Sequence, residues 1–534
     1  MILKSTVRDV EIPQATVPEF VLRHAERLAD KPAIIDGPTG RTLTYRALAD
    51  SVRRVATALH RRGFRKGDVF AIYSHNVPEY ASVFNGVALV GGIVTTANPL
   101  CTAGELTKQL KDCRARLLIT APPFLDKAKE AAAAAGVEDI YVFGEAAGVR
   151  PFAELMSAPP DPPNVAIDPA NDLVVLPYSS GTTGLPKGVM LTHRNLVANI
   201  CQMNGAEGFD AFQEHDRVLC VLPLFHIYGM VVVMELGLSN GATIVTVPRF
   251  DFEEFLALTQ KYKLTMLPLV PPIVLAMVKS PVVNQYDLSS VRIVFSGAAP
   301  LGEAQAQQLT DRLGCQVRQG YGMTEASPVT HTSPTRDGVF VKCGSAGRIV
   351  PNTEVAIVDP VTGDPVAGQR CEGELLIRGP QIMKGYLNQP AETAASIDAD
   401  GWYHTGDVGY VDEDGWFFIV DRTKELIKYK GMQVAPAELE ALLLTHPAVL
   451  DVAVVRRPDE DAGEVPKAFV ALKGDPESKA TTGKAIMAWV AERVAPHKKI
   501  RRLEFVEQIP KSPSGKILRR LLVDGTAEEQ LRSA

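Results

Sequence analysis

The sequence predicts an α/β protein with a large N-terminal domain and a small α+β domain at the C-terminal end. Three observations predict this class. The chain has 534 residues, which is more than one hydrophobic core usually serves. Helical and strand patterns alternate through most of the first 400 residues or so, as in α/β proteins. After about residue 340, short β-rich runs separated by Gly, Pro and Asp indicate a β-rich subdomain before the last domain.

The first clear element is a helix that begins after Thr44. Thr44 can cap it, Leu48, Val52, Val55 and Leu59 form its apolar stripe at helical spacing, and Gly63 is placed as a left-handed stop. The short apolar run at 69–73 then predicts a buried strand.

Further strands and one helix continue the alternation. The pattern predicts strands at 173–176, 243–247 and 291–295, and a helix over 252–262 that precedes the apolar segment 264–270. The runs GELLIRG (373–379) and GWFFIVD (415–421) are typical of the β-rich part.

The last 110 residues or so form a compact pattern of their own. It predicts a helix at 436–446, strands at 452–455 and 468–472, and a helix at 484–494. We expect domains at 1–421 and 422–534, joined by a hinge at about 421–424.

Composition and charge exclude some functions. The chain is 46% hydrophobic and 22% charged, as in an ordinary globular protein, and its net charge is −6. Because nucleic acids and membrane surfaces attract basic faces, this balance does not favour either as a partner. The apolar stretches at 83–97 and 230–247 are interrupted by Gly, Asn or Glu, so we expect no membrane span.

Seven scattered cysteines match neither a disulfide framework nor a zinc site. The N-terminal segment lacks the apolar core of a signal peptide. A cytoplasmic protein is the expectation.

The strongest single motif is the segment from Tyr178 to Gly188, YSSGTTGLPKG. It follows a predicted strand and contains three glycines, four Ser/Thr hydroxyls and one lysine. Glycines let backbone N–H groups close around an anion, and hydroxyls and lysine add donors and charge. It is not a Walker A loop, because Pro186 stands where the second glycine is needed. A Ser/Gly-rich surface turn is the alternative for this segment alone.

Four more segments accompany that loop: QGYGMTEA (319–326), YHTGD (403–407), VDRTKELIKYKGMQVAPAELE (420–440) and PKSPSGKILRR (510–520). Together, in this order, they resemble the adenylate-forming superfamily, with 4-coumarate–CoA ligases and related acyl-CoA synthetases as the most similar branch. The resemblance implies an ATP-dependent acid–CoA ligase that forms an acyl-adenylate and then a thioester. Its implied ligands are a small carboxylic acid, ATP, Mg²⁺ and coenzyme A.

The resemblance implies specific roles at ATP. The β- and γ-phosphates would be held by Ser179, Ser180, Gly181, Thr182, Thr183, Gly184 and Lys187. Thr324 would hold the α-phosphate, and Glu325 would coordinate Mg²⁺, a hard cation that prefers oxygen ligands. Adenine would lie against Tyr321, between the QGYGM residues Gln319, Gly320, Gly322 and Met323 and a wall formed by Ser296, Gly297, Ala298 and Ala299. Asp407 and Arg422 would bind the ribose.

The resemblance also implies a catalytic lysine, Lys516. Attack of a carboxylate on the α-phosphorus brings two anions together, and a fixed cation offsets the repulsion, which is worth roughly 3–4 kcal/mol for a preorganised donor. In the second step the C-terminal domain would rotate at the hinge, which includes Lys424. Lys428, Lys430, Gly431 and Gln433 would then replace Lys516.

The acid pocket is implied by VLPLFHIYG (221–229). His226 would lie near the reacting carboxylate, and Tyr228, Ser296, Gly297, Gly322, Pro328 and Val329 are further pocket candidates. A flat cinnamate or 4-coumarate fits an aromatic pocket beside Gly322. Two departures leave medium-chain fatty acids and benzoates open: Ser327 replaces the glycine usual in hydroxycinnamate ligases, and Arg456–Arg457 replaces a small residue.

Proteins of three other functional classes fit parts of this pattern. A peptide-synthetase adenylation domain is expected to be followed by a carrier domain, and none follows here. A luciferase-type oxygenase shares the motifs and would be separated by light emission with a luciferin. A non-catalytic binding protein is expected to have lost Lys516 or Glu325, and both are present.

Overall fold

A computed structural model describes residues 2–179, 186–204, 211–334, 340–366, 368–430, 432–459, 461–474, 479–512 and 515–523. Its helices are α1 Val17–Val21, α2 Tyr45–Arg61, α3 Glu79–Leu89, α4 Ala103–Asp112, α5 Leu125–Ala135, α6 Phe152–Met156, α7 His193–Asn204, α8 Leu236–Ser239, α9 Phe252–Tyr262, α10 Pro271–Lys279, α11 Glu303–Leu313, α12 Pro390–Ser396, α13 Pro436–Leu443, α14 Lys479–Ala491 and α15 Arg519–Val523. A π-helix, Tyr228–Glu235, precedes α8.

The strands of the described residues are β1 Ile2–Lys4, β2 Pro32–Asp36, β3 Thr42–Thr44, β4 Val69–Tyr73, β5 Ile93–Ala97, β6 Ala115–Thr120, β7 Asp139–Val142, β8 Arg150–Pro151, β9 Leu173–Ser179, β10 Lys187–Thr192, β11 Arg217–Cys220, β12 Thr243–Thr246, β13 Met266–Leu269, β14 Ile293–Ser296, β15 Gln316–Gly322, β16 Val329–Thr332, β17 Arg348–Ile349, β18 Glu354–Val358, β19 Gly373–Arg378, β20 Gly385–Tyr386, β21 Tyr403–Val411, β22 Phe417–Arg422, β23 Ile427–Tyr429, β24 Met432–Val434, β25 Val449–Asp459, β26 Gly463–Leu472 and β27 Arg502–Phe505.

Two mostly parallel sheets form the bulk of the chain. Sheet I has the order β20-β10-β9-β5-β4-β6-β7-β8, and sheet II the order β17-β16-β15-β14-β13-β11-β12-β2-β3. Their central strands are parallel; antiparallel pairs occur at the β20-β10-β9 edge of sheet I and at both edges of sheet II. Parallel strands with helical connections bury both faces of a sheet, which is why runs such as Val69–Tyr73 are wholly apolar or aromatic.

Two smaller antiparallel units complete the fold. Sheet III, β1-β18-β19-β21-β22, is the predicted β-rich subdomain. Sheet IV contains β24-β23-β26-β25, with β27 parallel to β26, and packs on α13 and α14. Sheet IV has a hydrophobic cluster of its own that includes Ile427, Leu439 and Val470. The predicted fold class is therefore confirmed.

Helix α2 shows how local sequence fixes an element. The Thr44 side chain accepts a hydrogen bond from the Ala47 N–H, which satisfies one of the free donors at the helix start. The predicted stripe is buried, and Gly63 has a φ of +80° just after the helix. In this left-handed conformation a residue with a Cβ is strained.

Several boundaries differ from the prediction. The bounds of β4 and α9 are as predicted. The helix predicted over 436–446 ends at Leu443, and that predicted over 484–494 spans Lys479–Ala491. The strands predicted at 452–455 and 468–472 are much longer, because β25 and β26 pair as one hairpin that also takes in polar residues.

The two apolar stretches are parts of the core. Met230–Val233 lie in the buried π-helix, and Val83–Val87 lie in α3. Within the described ranges, no helix is long and apolar enough to cross a membrane.

Candidate active site

Glu325 lies where sheets I and II meet. It occupies a 3₁₀ turn, Thr324–Ala326, between β15 and β16, and is only 7% exposed. Its Oε1 accepts hydrogen bonds from Ser179 Oγ and Tyr386 Oη, both at 3.0 Å. Burial and the nearby carboxylate raise the pKa of Tyr386, so the phenol stays protonated and donates. The end of β9 is thereby joined to the expected metal ligand.

Ser179 and Lys187 begin and end the predicted phosphate segment and lie opposite each other in the β9–β10 ladder. The residues expected to hold phosphates between them, Ser180, Gly181, Thr182, Thr183 and Gly184, lie outside the described residues. Lys187 is 7% exposed, forms an ion pair with Glu392 of α12, and lies 5.0 Å from the centre of the Tyr386 ring.

The structure brings together Asp407, Arg422 and Tyr321, the residues expected to bind ribose and adenine. Asp407 on β21 pairs with Arg422 on β22 across the ladder, with 3.4 Å between Oδ1 and Nε. The other oxygen, Oδ2, accepts a 2.6 Å hydrogen bond from the Tyr321 phenol. Burial and Asp407 raise the pKa of Tyr321 far above its ordinary value, so the phenol remains the donor.

The predicted adenine wall follows β14. Gln319 fixes this segment by donating to the Leu301 carbonyl (3.1 Å) and accepting from its N–H (2.8 Å). Ala298 has a φ of +71°, and Ala298 and Ala299 are partly exposed. The Ser296 hydroxyl is buried and, within the described residues, has no hydrogen-bond partner. It is a free polar group at the end of the strand.

Two glycines permit close approach at this wall. A Cβ on Gly297 would lie 2.7 Å from a Tyr228 ring atom, and one on Gly320 would lie 2.8 Å from the Phe295 ring. Any side chain at these positions would displace the aromatic rings that line the candidate pocket.

The QGYGMTEA turn is tied to Pro328 and Val329. The Met323 N–H donates to the Pro328 carbonyl at 2.9 Å, and a Cβ on Gly322 would lie 2.1 Å from that same oxygen. Asn199 of α7 fixes Val329 through both its N–H (3.1 Å) and its carbonyl (2.7 Å). Gly322 itself is exposed, which leaves an open face beside the buried pocket candidates.

His226 and Tyr228 lie at the start of the π-helix. The Tyr228 N–H donates to His226 Nδ1 at 3.3 Å, so a neutral imidazole carries its proton on Nε2. Burial, together with the Lys516 ammonium, lowers the pKa of His226 to about 4. The Tyr228 phenol donates to the Phe295 carbonyl at 3.1 Å. His226 is therefore uncharged at neutral pH.

Lys516 is brought to this site. Burial and Arg422 lower the pKa of its ammonium, whereas Asp407 and Glu325 raise it. Lys516 is therefore close enough to these three side chains to interact with their charges. The same ammonium acts on His226. The C-terminal lysine thus lies among the residues expected to bind ribose, metal and acid.

The residues predicted for the second step lie elsewhere. Lys428 and Gln433 are paired across β23 and β24, and both are exposed, as are Lys424 and Lys430. The Lys428 N–H donates to Glu464, and Lys430 lies over the Tyr429 ring. Gly431 lies outside the described residues. This arrangement places one set of predicted residues at the site and leaves the other at the surface.

Sequence reasoning missed several site residues. Tyr386 and Glu392 contact Glu325 and Lys187, respectively, from 61 and 205 residues away. Asn76 holds the 221–226 segment by donating to the Cys220 and Leu222 carbonyls and accepting from the Leu224 N–H. Asn76 lies three residues after the strand that ends at Tyr73, and a polar residue near the carboxyl end of a parallel strand is a usable signal. Glu392 carries no such signal.

Comparisons with known proteins agree with this geometry. The family profile of AMP-binding enzymes matches residues 21–387, and that of the AMP-binding enzyme C-terminal domain matches 438–516. The 4-coumarate–CoA ligase 2 of Petroselinum crispum is 46% identical over 526 residues, covering 97% of this chain and 96% of its own. The 4-coumarate–CoA ligase of Vanilla planifolia is 46% identical over 531 residues, covering 97% and 95%.

Solved structures show the same architecture. The anthranilate CoA ligase AuaEII in complex with anthranoyl-AMP superposes with a TM-score of 0.88 at 28% identity, covering 98% of this chain and 99% of its own. A benzoate CoA ligase from Burkholderia xenovorans LB400 has a TM-score of 0.85 at 28% identity, covering 95% and 99%. The chain therefore belongs to the AMP-binding enzymes, the adenylate-forming superfamily, among its AMP-forming acid–CoA ligases.

Proposed function

We propose that the chain is a 4-coumarate–CoA ligase that converts 4-coumarate or a related cinnamate, ATP and coenzyme A into the CoA thioester, AMP and pyrophosphate. The observation that carries the proposal is the position of Lys516 among Glu325, Asp407 and His226. Among the residues that the structure describes, the Lys516 ammonium forms no ion pair, and a cation at that position suits a reaction between two anions.

In the first step an oxygen of the acid attacks the α-phosphorus of ATP, and the bond to the pyrophosphate oxygen breaks. Asp407 accepts from the ribose hydroxyls, and Tyr321 offers its ring to adenine. The Lys516 ammonium lies between the carboxylate and the α-phosphate and offsets their repulsion. Neutral His226 adds no charge beside the acid.

The residues present fit a magnesium ion. Glu325 is a buried carboxylate with hydroxyl neighbours, and the described residues contain no group of three side chains able to hold a metal alone. Mg²⁺ usually takes one or two carboxylates together with substrate phosphates and water. Glu325 would hold it, and the ion would neutralise phosphate charge.

In the second step the thiolate sulfur of coenzyme A attacks the acyl carbon, and AMP leaves. Lys516 occupies the space that the thiol must reach. We propose domains 1–421 and 422–534 that rotate about residues 421–424, bringing Lys428, Lys430, Gly431 and Gln433 over the site. The described form, with Lys516 inserted and Lys428 exposed, is compatible with the first of these two states.

The substrate class is supported by the shape around Gly322. Gly322 is exposed and lies against the fixed Pro328–Val329 backbone, which offers an open slot for a flat ring. The 4-coumarate–CoA ligases are similar over nearly the whole chain, and ligases for anthranilate and benzoate share the fold. Benzoate-type and medium-chain fatty acids are therefore the alternatives.

The test is acid-dependent pyrophosphate release with ATP across a panel of cinnamate, 4-coumarate, benzoate, anthranilate and octanoate, with and without coenzyme A. We expect kcat/KM for 4-coumarate to exceed that for benzoate and octanoate at least tenfold. AMP turnover should require coenzyme A. A benzoate or octanoate optimum would refute the substrate class, and no turnover with any acid would refute the ligase.

We further propose a cytoplasmic location. All seven cysteines are free thiols in the structure, as expected in a reducing compartment. Fractionation of the native cells tests it.

A further inference from the structure

The loop that carries Lys516 is shaped by its own hydrogen bonds. The Ser512 N–H donates to the Lys516 carbonyl (2.8 Å), and the Lys516 N–H donates to Ser512 Oγ (3.1 Å). A bridge between Lys511 and Ile517 closes the base of the loop. These contacts hold residues 516–517 against residues 511–512 but do not set their direction relative to the domain.

A buried ion pair fixes that direction. Arg519, three residues after Lys516, donates from Nη2 to both carboxylate oxygens of Glu440 on α13, at 2.8 and 2.7 Å. The side chains are only 19% and 10% exposed. A second contact, Lys511 Nζ to Asp451 Oδ2 at 2.5 Å, lies on the other side of the loop.

The pair also occupies the open edge of sheet IV. Strand β25 is the last strand of that sheet, so some of its backbone groups have no strand partner. Glu440 Oε1 accepts from the Val454 N–H at 2.7 Å, and Arg519 Nε donates to the Val454 carbonyl at 3.2 Å. The N–H and the carbonyl of Val454, a residue of this edge strand, therefore both bind the ion pair that holds the Lys516 loop in place.

The same cluster reaches the proposed hinge. Asp421 Oδ2 accepts from the Ala437 N–H at the start of α13, at 3.0 Å. Asp421 and Glu425 also act on the Arg519 guanidinium through their charge. Helix α13 therefore joins residue 421 to the base of the lysine loop through short, buried contacts.

We propose that Arg519 and Glu440 are positioning residues for adenylation, which seat the Lys516 loop on the edge of β25 so that its ammonium reaches the acid and ATP. This inference rests on the proposed role of Lys516. A buried ion pair contributes little net stability compared with apolar residues of similar size, so a role in orientation explains it better than a role in folding. The thioester step, in which Lys516 withdraws, does not need the pair.

The test uses the full-length enzyme and measures the two half-reactions separately. Arg519→Lys keeps the charge, but its single nitrogen cannot bond Glu440 and the Val454 carbonyl as Nη2 and Nε of the guanidinium do. We expect kcat for acid-dependent pyrophosphate release to fall about 10- to 100-fold, with KM for ATP unchanged, because small misplacement of a catalytic group has effects of this size. Thioester formation from premade acyl-AMP should stay within about threefold of wild type.

Glu438→Gln is the matched control, because Glu438 lies on the same helix and pairs with Lys498, away from the loop. It should leave both half-reactions unchanged. The double variant Arg519→Met/Glu440→Leu removes both buried charges. Its thermal midpoint should return to the wild-type value, whereas its rate of adenylation should stay low.

Three outcomes would overturn the inference: equal loss in both half-reactions for Arg519→Lys, wild-type adenylation in that variant, or recovery of adenylation together with stability in the double variant. A wild-type enzyme without acid-dependent pyrophosphate release would instead refute the proposed function.

Discussion

At the scale of single residues, Glu235 is the least expected feature of the core. It is fully buried on the π-helix, and its carboxylate oxygens accept from Asn85 Nδ2 at 3.1 and 3.4 Å. The Asn85 Oδ1 atom is buried and, within the described residues, has no partner. Burial raises the pKa of Glu235 to about 8, so the side chain is protonated at neutral pH.

This burial has a calculable effect on stability. In the unfolded chain a glutamate has a pKa near 4.3, so between that pH and about 8 the unfolded state loses the proton and the folded state keeps it. The contribution of Glu235 is therefore least unfavourable below pH 4.3 or so and becomes more unfavourable as pH rises to about 8. At pH 7 the buried Glu235 lowers the free energy of unfolding by an amount on the order of 3 kcal/mol.

We expect Glu235→Gln to be more stable than the wild type at pH 8, by several degrees in thermal midpoint. The gain in thermal midpoint should shrink towards pH 5. The glutamine amide does not ionise, whereas the penalty for burying Glu235 in the wild type becomes smaller as pH falls. The measurement is the thermal midpoint of both proteins from pH 5 to 8, with Glu130→Gln on the exposed face of α5 as control. Parallel pH profiles for the wild type and Glu235→Gln would contradict the prediction.

Contacts between motif residues were easier to anticipate than contacts with residues outside any motif. Asp407, Arg422 and Tyr321, which the motifs assign to one nucleotide, are in contact in the structure. The motifs gave no sign that Lys187 would pair with Glu392, because Glu392 lies on a short helix with no motif of its own. Partners that meet only through tertiary folding leave no local pattern in a single sequence.

At the scale of elements, local sequence signals predicted those helix and strand bounds that neighbouring residues set directly. Helix α9 has the predicted bounds because Asp251 caps its start and Lys263 ends it in a left-handed conformation. Strand β25 was predicted too short because Arg456, Arg457 and Pro458 are polar or unfavourable in a strand. They are nevertheless paired with residues 464–466 of β26. Pairing along a hairpin extends strands beyond their apolar part.

Helix α12 has a role that its sequence does not indicate. It places Glu392 against Lys187, the lysine expected to bind phosphate. The Glu392 side chain is 44% exposed, so the pair contributes at most about 1 kcal/mol. In the proposed role of Lys187, the lysine exchanges this carboxylate for phosphate oxygens when a triphosphate binds. We therefore expect Glu392 to compete with ATP for Lys187.

We expect Glu392→Gln to lower KM for ATP about threefold with little change in kcat, because Lys187 no longer has to leave a carboxylate. Initial rates of pyrophosphate release at varied ATP measure this. Glu413→Gln, which breaks the exposed ion pair with Arg370, is the control. A higher KM for ATP would show instead that Glu392 orients Lys187 for binding.

At the scale of the whole molecule, the two predicted sets of catalytic residues belong to one small unit built on sheet IV. Lys516 reaches the site between sheets I, II and III, whereas Lys428 on β23 is exposed. A rigid unit cannot present both lysines to one site at once if each is needed there. The proposed roles of the two lysines therefore require two arrangements of this unit, one for each half-reaction.

Replacing each lysine separately tests this division of labour. Lys516→Ala should reduce acid-dependent pyrophosphate release by about 100-fold or more, the effect of losing one preorganised charge in a transition state. It should leave thioester formation from premade acyl-AMP nearly intact. Lys428→Ala should show the reverse pattern, with near-normal pyrophosphate release in a single turnover and a thioester step slowed at least tenfold. Lys473→Ala, an exposed lysine after β26, should affect neither step. If each variant loses both half-reactions equally, one fixed arrangement serves both steps and the proposed rotation is wrong.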